Sequence, residues 1–264
     1  MAVVAPGIRR EQQEQVARAV VHFLRARARL DRLITASGGQ ERVPFDQIND
    51  FVEGELFTLK EECHALFRAT DEPDDEEHLT AGDLFDLVVG ALFHQMMKVK
   101  ENTYQLERYG PRYASLRRAM RGPDAPEHGE AFLKEGERII QRSRRALRQD
   151  FKHAIELFHE ATIVLRHLLR EYRDNPLLVR LLLRHQGDVE AVYGHRSLDD
   201  LLSEIYDGGV AEALLIAATD LLHGGWYDEA RDYCQRVLQN DPGNRHATQL
   251  LTRINAAATP DLTE

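Results

Sequence analysis

Gly225-Trp226-Tyr227-Asp228-Glu229-Ala230-Arg231-Asp232-Tyr233-Cys234-Gln235-Arg236-Val237-Leu238-Gln239-Asn240-Asp241-Pro242-Gly243-Asn244 contains one helix together with its start and stop signals. Gly225 permits a turn in the left-handed region, where a residue without Cβ costs least. Tyr227, Ala230, Cys234 and Val237 then recur at three and four residues and share one helical face. Ala230 is small where two paired helices must approach. Asp241-Pro242-Gly243-Asn244 closes the helix, because proline cannot continue the backbone ladder and Asn and Gly accept turn geometry. Upstream, Ala211 to His223 (AEALLIAATDLLH) supplies an apolar partner helix, and Arg245 to Ala257 supplies a third that caps the pair.

This arrangement resembles one tetratricopeptide repeat plus a capping helix, over about residues 209–257. Repeats of that family are helical hairpins that stack and hold other proteins. Leu214 and Ala218 occupy positions where the family often has an aromatic residue and a glycine, and both fit sterically. Some members clamp a peptide carboxylate with lysine and asparagine on the first helix's inner face. The matching face here carries Glu212, Leu215, Thr219 and Leu222, so that specificity is not expected. The resemblance implies a groove for a protein or peptide, with Glu212, Leu215, Thr219, Leu222 and Tyr227 as its contact residues and with Glu212 favouring basic or neutral partners.

The 264 residues, 43% hydrophobic and 30% charged, are enough to bury a core. The net charge of −10 argues against nonspecific nucleic-acid binding, which depends on neutralising phosphates. Of 34 basic residues five are lysine (Lys60, Lys98, Lys100, Lys134, Lys152), leaving 29 arginines, a bias better explained by base composition than by any role for guanidinium. Cys63 and Cys234 provide no disulfide framework, which suits a reducing compartment. No secretory leader and no apolar run of the ~20 residues that cross a bilayer is evident. A cytoplasmic protein is expected, with homo-oligomerisation left open.

Elsewhere the apolar spacing is helical. Arg9 to Ile34 aligns Val16, Ala19, Val20, Phe23, Ala26, Leu30, Leu33 and Ile34, and Ser37-Gly38-Gly39 ends the run. A second helix is expected over Phe45 to Thr70, with Phe51, Leu56, Leu59, Leu66 and Phe67 in the core. It leads into the acidic stretch Asp71 to Glu77, read as a solvated connection. Thr80 and Asp83 form a capping arrangement for a third helix, ended by Gly110-Pro111. After a polar link at Arg121 to Pro126, a long helix is expected from about Glu130 to Arg173, extending roughly 65 Å at ~1.5 Å per residue. Asn175-Pro176 ends it, followed by helices at Leu177 to His185 and Leu198 to Tyr206. The expected fold is therefore all-α: a helical bundle over residues 1–174 that includes the long helix, and helical hairpins over 175–264.

Two other readings compete with the adaptor: a di-metal carboxylate bundle, as oxidase or metal store, and a ribonuclease. Glu61 with His64 and Glu156 with His159 repeat Glu-x-x-His, the spacing that builds the di-iron site of ferritin-like bundles. Glu101 or His94 and Glu11 or Glu14 are the candidate remaining ligands of a di-iron or di-manganese centre. With 24 Glu and 12 His, roughly one such pair arises by chance. The Arg148 to His153 and Arg180 to His185 spacings resemble the catalytic motif of the HEPN ribonuclease family. The polar residue often found after the arginine is Gln149 in the first, whereas Leu181 stands there in the second. No phosphate-cradling glycine loop, Cys-x-x-Cys or Gly-x-Ser-x-Gly occurs. His153, His159 and His167 are expected to pack or reach solvent along the long helix. Met96, Met97, Tyr104, Tyr109 and Tyr113 are expected to pack with their hydroxyls at a rim, or to form a partner patch. The leading expectation is a non-enzymatic protein-binding adaptor without a cofactor.

Overall fold

A computed structural model describes residues 10–70, 80–120, 129–192 and 197–258, and every regular element among them is helical. The fold class is all-α. In chain order the helices are α1 (Arg10–Ala36), α2 (Phe45–Asp50), α3 (Phe57–Thr70), α4 (Ala81–Ala119), α5 (Gly129–Glu171), α6 (Pro176–Arg184), α7 (Gln186–Val192), α8 (Leu198–Ile205), α9 (Gly209–His223), α10 (Tyr227–Asn240) and α11 (Arg245–Ala258). The expected acidic connection at 71–77 and link at 121–126 lie outside the described residues.

Contacts divide the described chain into two compact units. One holds residues up to Leu24 and from Leu165 onward, the other Arg25 to Val164, so the divisions fall inside α1 and α5. The sequence reading places its soft boundary near Asn175.

In the second unit the helix expected over 45–70 is continuous but not uniform. Phe51–Leu56 is a π-helical turn between α2 and α3. A π turn bonds each residue to one five positions away, so Phe51 and Leu56 come to one side, and both are fully buried with Val52. Leu59, Cys63 and Leu66 continue that face along α3. The side chain of Phe67 lies outside the described part. Gly38 and Gly39 close α1 with φ of 69° and 134°.

Helix α4 begins at the capping box expected from the sequence. The Thr80 hydroxyl accepts the Asp83 N–H at 3.1 Å, and the Asp83 carboxylate accepts the Thr80 N–H at 2.7 Å. Its buried face is Phe85, Val89, Leu92, Met96 and Val99, while Leu87 is 67% exposed. The expected stop at Gly110-Pro111 is corrected: α4 runs through both to Ala119. The residue before a proline is held out of the α region largely by a clash with its own Cβ, and Gly110 has none. Helix-favouring residues on both sides carry the helix past the missing hydrogen bond.

Helix α5 spans 43 residues, about 65 Å at 1.5 Å per residue. Its buried stripe in this unit is Leu147, Phe151, Ala154, Phe158 and Ala161, and the Arg27 guanidinium lies 5.4 Å from the Phe158 ring centroid. Asp150 accepts hydrogen bonds from Gln95 Nε2 at 2.9 Å and Asn102 Nδ2 at 2.7 Å, which fixes α4 against α5 through a satisfied polar pair. Gly136 lets the Tyr113 ring lie on the α5 backbone, since a Cβ there would come within 2.7 Å of it.

In the first unit, Asn175 is buried and caps α6. Its side-chain oxygen accepts the N–H groups of Leu177 and Leu178, its amide donates to the Gln13 carbonyl at 2.9 Å, and Pro176 occupies the first helical position. Ser197 and Asp200 form a second capping box at α8. Helix α7 is an addition to the sequence reading. Helix α9 packs against α6, α8 and α10, and α10 packs against α11. Small residues make this close approach possible: Ala213, Ala217, Ala218, Ala230 and Ala247 are all fully buried. Ala218, Leu221, Ala230, Cys234, Leu250 and Ile254 form one cluster, and Leu214, Val237 and Ala247 another. Gly225 joins α9 to α10 with φ of 77°.

Candidate functional site

Between α9 and α11 lies an open groove of about 760 Å³. Positions 212, 215, 216, 219 and 223 of α9 line it, as do positions 246, 249, 250 and 253 of α11, with Asp174 and Pro176 at the edge. The α9 residues follow the 3.6-residue repeat closely: eleven positions are three turns, so Glu212 and His223 share a face.

That arithmetic sorts the expected contact residues. Glu212, Leu215 and Thr219 line the groove. Leu222 sits ten residues from Glu212, about 80° around the helix, and packs with Tyr227 against the protein's own Ala218, Leu221, Ala230, Cys234 cluster. Reading a leucine as the next apolar contact displaced the face from His223 to Leu222. Ile216 and the α11 side chains His246, Gln249 and Arg253 were not anticipated. A strict three-turn projection from Glu212 finds His223, and the i, i+3, i+4, i+7 spacing of α11 groups His246, Gln249, Leu250 and Arg253.

The polar groups of the groove are partly committed. Glu212 Oε2 accepts the Gly208 N–H at 2.8 Å, and the Thr219 hydroxyl donates to the Leu215 carbonyl at 2.8 Å. Asp220 accepts from Arg180 Nη1 at 3.2 Å, and the same guanidinium lies 3.9 Å from Glu229. Near Asp174 and Glu212, Tyr206 donates to the Arg173 carbonyl at 2.7 Å. Burial pushes the Tyr206 phenol well up, and the charges of Asp174 and Glu212 push it further, so it stays neutral beside them. Leu215, Ile216 and Leu250 supply the apolar floor.

Within the second unit the described candidate metal ligands Glu61, His64, His94, Glu101, Glu156 and His159 do not gather at one place. Among the described residues no group of three or more His, Cys, Asp or Glu side chains is placed to hold an ion. Glu61 is exposed and pairs with Lys60 at 3.3 Å, while His64 lies 3.8 Å from Asp86. Glu156 is exposed between Lys152 and His153, and His159 faces solvent. Glu101 accepts from Gln105 one turn along α4, and His94 is exposed. The side chain of Glu11 lies outside the described part. Partly buried carboxylates are present, but as single groups: burial raises Asp86, an effect the neighbouring His64 opposes.

The arginine-histidine spacings are also separate pairs. Arg148 is paired with Glu41 and His153 lies 3.8 Å from Glu156. Arg180 is paired with Asp220, and His185 lies 3.7 Å from Asp188. His153, His159 and His167 are all exposed on α5. Both cysteines are free and buried, and burial raises the thiol of each, strongly for Cys63, so neither is poised as a thiolate nucleophile. Met96 is buried, whereas Met97 and Tyr109 are exposed. No helix among the described residues is long and apolar enough to cross a membrane. Comparison with protein-family models, with curated proteins and with solved structures finds no match to this chain.

Proposed function

We propose that this protein is a non-enzymatic adaptor whose groove between α9 and α11 holds a segment of another polypeptide. The observation that carries the reading is the combination of size and lining. A groove of about 760 Å³ is floored by Leu215, Ile216 and Leu250 and edged by separate acidic and basic side chains. That is the composition of sites that bind through an apolar body with a few polar contacts setting orientation. The resemblance of residues 209–257 to a tetratricopeptide repeat supports the same reading, since first helices of such hairpins line the inner surface. Glu212 and Asp174 favour a basic or neutral segment, and Arg253 and His246 offer contacts to an acidic side chain within it. A cytoplasmic location belongs to the same proposal.

The test is an affinity capture from native extract with the intact protein and with Ile216→Asp combined with Arg253→Glu. Both positions line the groove outside the Ala218 and Leu214 clusters, so the variant is expected to keep its helical circular dichroism, with a somewhat lower melting temperature because Ile216 is half-buried. A polypeptide retained by the native chain and released from the variant supports the groove. Equal retention by both removes it.

A further inference from the structure

The second unit carries a concavity of different character. The C-terminal third of α4, the N-terminal half of α5 and the turn before α2 enclose a pocket of about 320 Å³, walled by Val43, Leu106, Pro111, Ile140 and Leu147. Arg42 and Arg144 stand on the same lining. A second hollow of about 550 Å³ shares Gly110, Ile140 and Arg144 with the first and adds Tyr113, Arg117 and Arg118. The two form one furrow with an apolar floor and four guanidiniums around it.

The charge balance of that furrow is the informative feature. Its carboxylates are Glu41, Glu107 and Glu137. Glu41 is taken by Arg148, and Glu107 accepts the Phe45 N–H at 2.7 Å. Arg118 reaches the Ala114 carbonyl and the Ser115 hydroxyl, both at 3.4 Å. Among the described residues, none of Arg42, Arg117, Arg118 and Arg144 forms an ion pair with a carboxylate. Among the described residues this leaves Glu137 as the one lining carboxylate not otherwise engaged, against four guanidiniums beside apolar walls. Like charges brought together repel unless an anion joins them, and the planar guanidinium fork matches carboxylate and phosphate oxygens.

We infer that this furrow binds a small amphipathic organic anion, its carboxylate or phosphate head held by Arg42 and Arg144 and its apolar body lying on Val43, Ile140 and Leu147. The pocket volume is at the small end of the range for such ligands, roughly 300–1,000 Å³. The inference is independent of the groove between α9 and α11.

The experiment is isothermal titration of the full chain with decyl phosphate, decanoate and decanol, the anions below their micelle-forming concentrations and decanol below its solubility limit. Both anions are expected to bind at one site, with decanol at least ~10-fold weaker, the loss of one charge-assisted contact. The tighter anion identifies the head group. Arg144→Gln and, separately, Arg42→Gln are each expected to weaken the anions ~10-fold and leave decanol unchanged, while Ile140→Ser weakens all three. Arg253→Glu, in the other groove, is expected to change nothing. The assignment is overturned by decanol binding as tightly as the anions, by undiminished anion binding in the Arg42→Gln/Arg144→Gln double variant, or by no binding below ~1 mM. A homopolymeric RNA that binds more tightly than decyl phosphate through the same arginines overturns it in favour of a nucleic-acid surface.

Discussion

The α9 to α11 region and the α4/α5 pair are both built from amphipathic helices, yet they reach stability by opposite routes. The former uses helices of 14 or 15 residues, joined by a left-handed glycine and packed through buried alanines that draw the backbones together. The latter uses helices of 39 and 43 residues whose buried stripe is mainly phenylalanine, leucine, methionine and valine, with Ala154 and Ala161 among them, fixed by a polar contact at Asp150. Close packing through small residues leaves shape as the main feature of a surface, and the groove there is apolar with scattered charge. Long helices with wide side chains leave furrows, and arginines collect along theirs. Two concavities of different lining follow from two packing strategies.

Removing one large side chain from each region measures the contrast most strongly. Phe158→Ala, deleting a fully buried ring that also supports Arg27, is expected to cost about 4 kcal/mol in urea unfolding. Leu221→Ala in the Ala218 cluster is expected to cost about 3 kcal/mol. Equal and small losses would mean that neither stripe is a tightly packed core. Backbone substitutions sharpen the difference in the other direction. Pro111→Ala restores a ladder hydrogen bond inside α4 and is expected to raise stability by up to ~3 kcal/mol. Gly225→Ala meets no atom within 4 Å but strains a φ of 77°, and is expected to lower stability by about 1 kcal/mol. The capping boxes predict about 1 kcal/mol each for Thr80→Ala and Ser197→Ala, read as a shift in urea midpoint at constant slope.

The smallest expected effect is electrostatic. Burial raises the Asp31 carboxyl, with Arg27 opposing, so the unfolded chain ionises at lower pH than the folded one. Below the carboxylate range both states are protonated and no penalty exists. As pH rises through that range, a small share of stability is lost. Asp31→Asn is expected to flatten this fall, and a variant that instead loses stability at neutral pH would show that the Arg27 pair at 3.1 Å outweighs desolvation.

Much of the fold was legible because helix ends are local chemistry. Thr80 with Asp83, Gly38-Gly39, Asn175-Pro176 and Gly225 each mark a boundary within a few residues of where it lies. Gly110-Pro111 misled because the same glycine that usually signals a stop removed the clash that makes proline a breaker. The π turn at Phe51–Leu56 was hidden because buried positions five apart look like noise against a 3.6 period. Of the residues lining the groove, Glu212, Leu215 and Thr219 lie on the face that the resemblance implies, and His223 was missed because hydrophobicity was preferred to angle. The lining from α11 and the arginine furrow join residues distant in sequence, such as Arg42 and Arg144, and no spacing rule links those. The Glu-x-x-His pairs show the converse: correct spacing along each helix does not supply convergence between helices.

The most direct test of the adaptor proposal is site-specific photo-crosslinking in native cells. A photoreactive residue is placed at Ile216, in the groove, or at Gln235, exposed on α10 and absent from the groove lining. The account predicts a discrete polypeptide adduct from position 216 and none from 235. Adducts of equal yield from both positions, or none from 216 while the protein is folded and expressed, would contradict it.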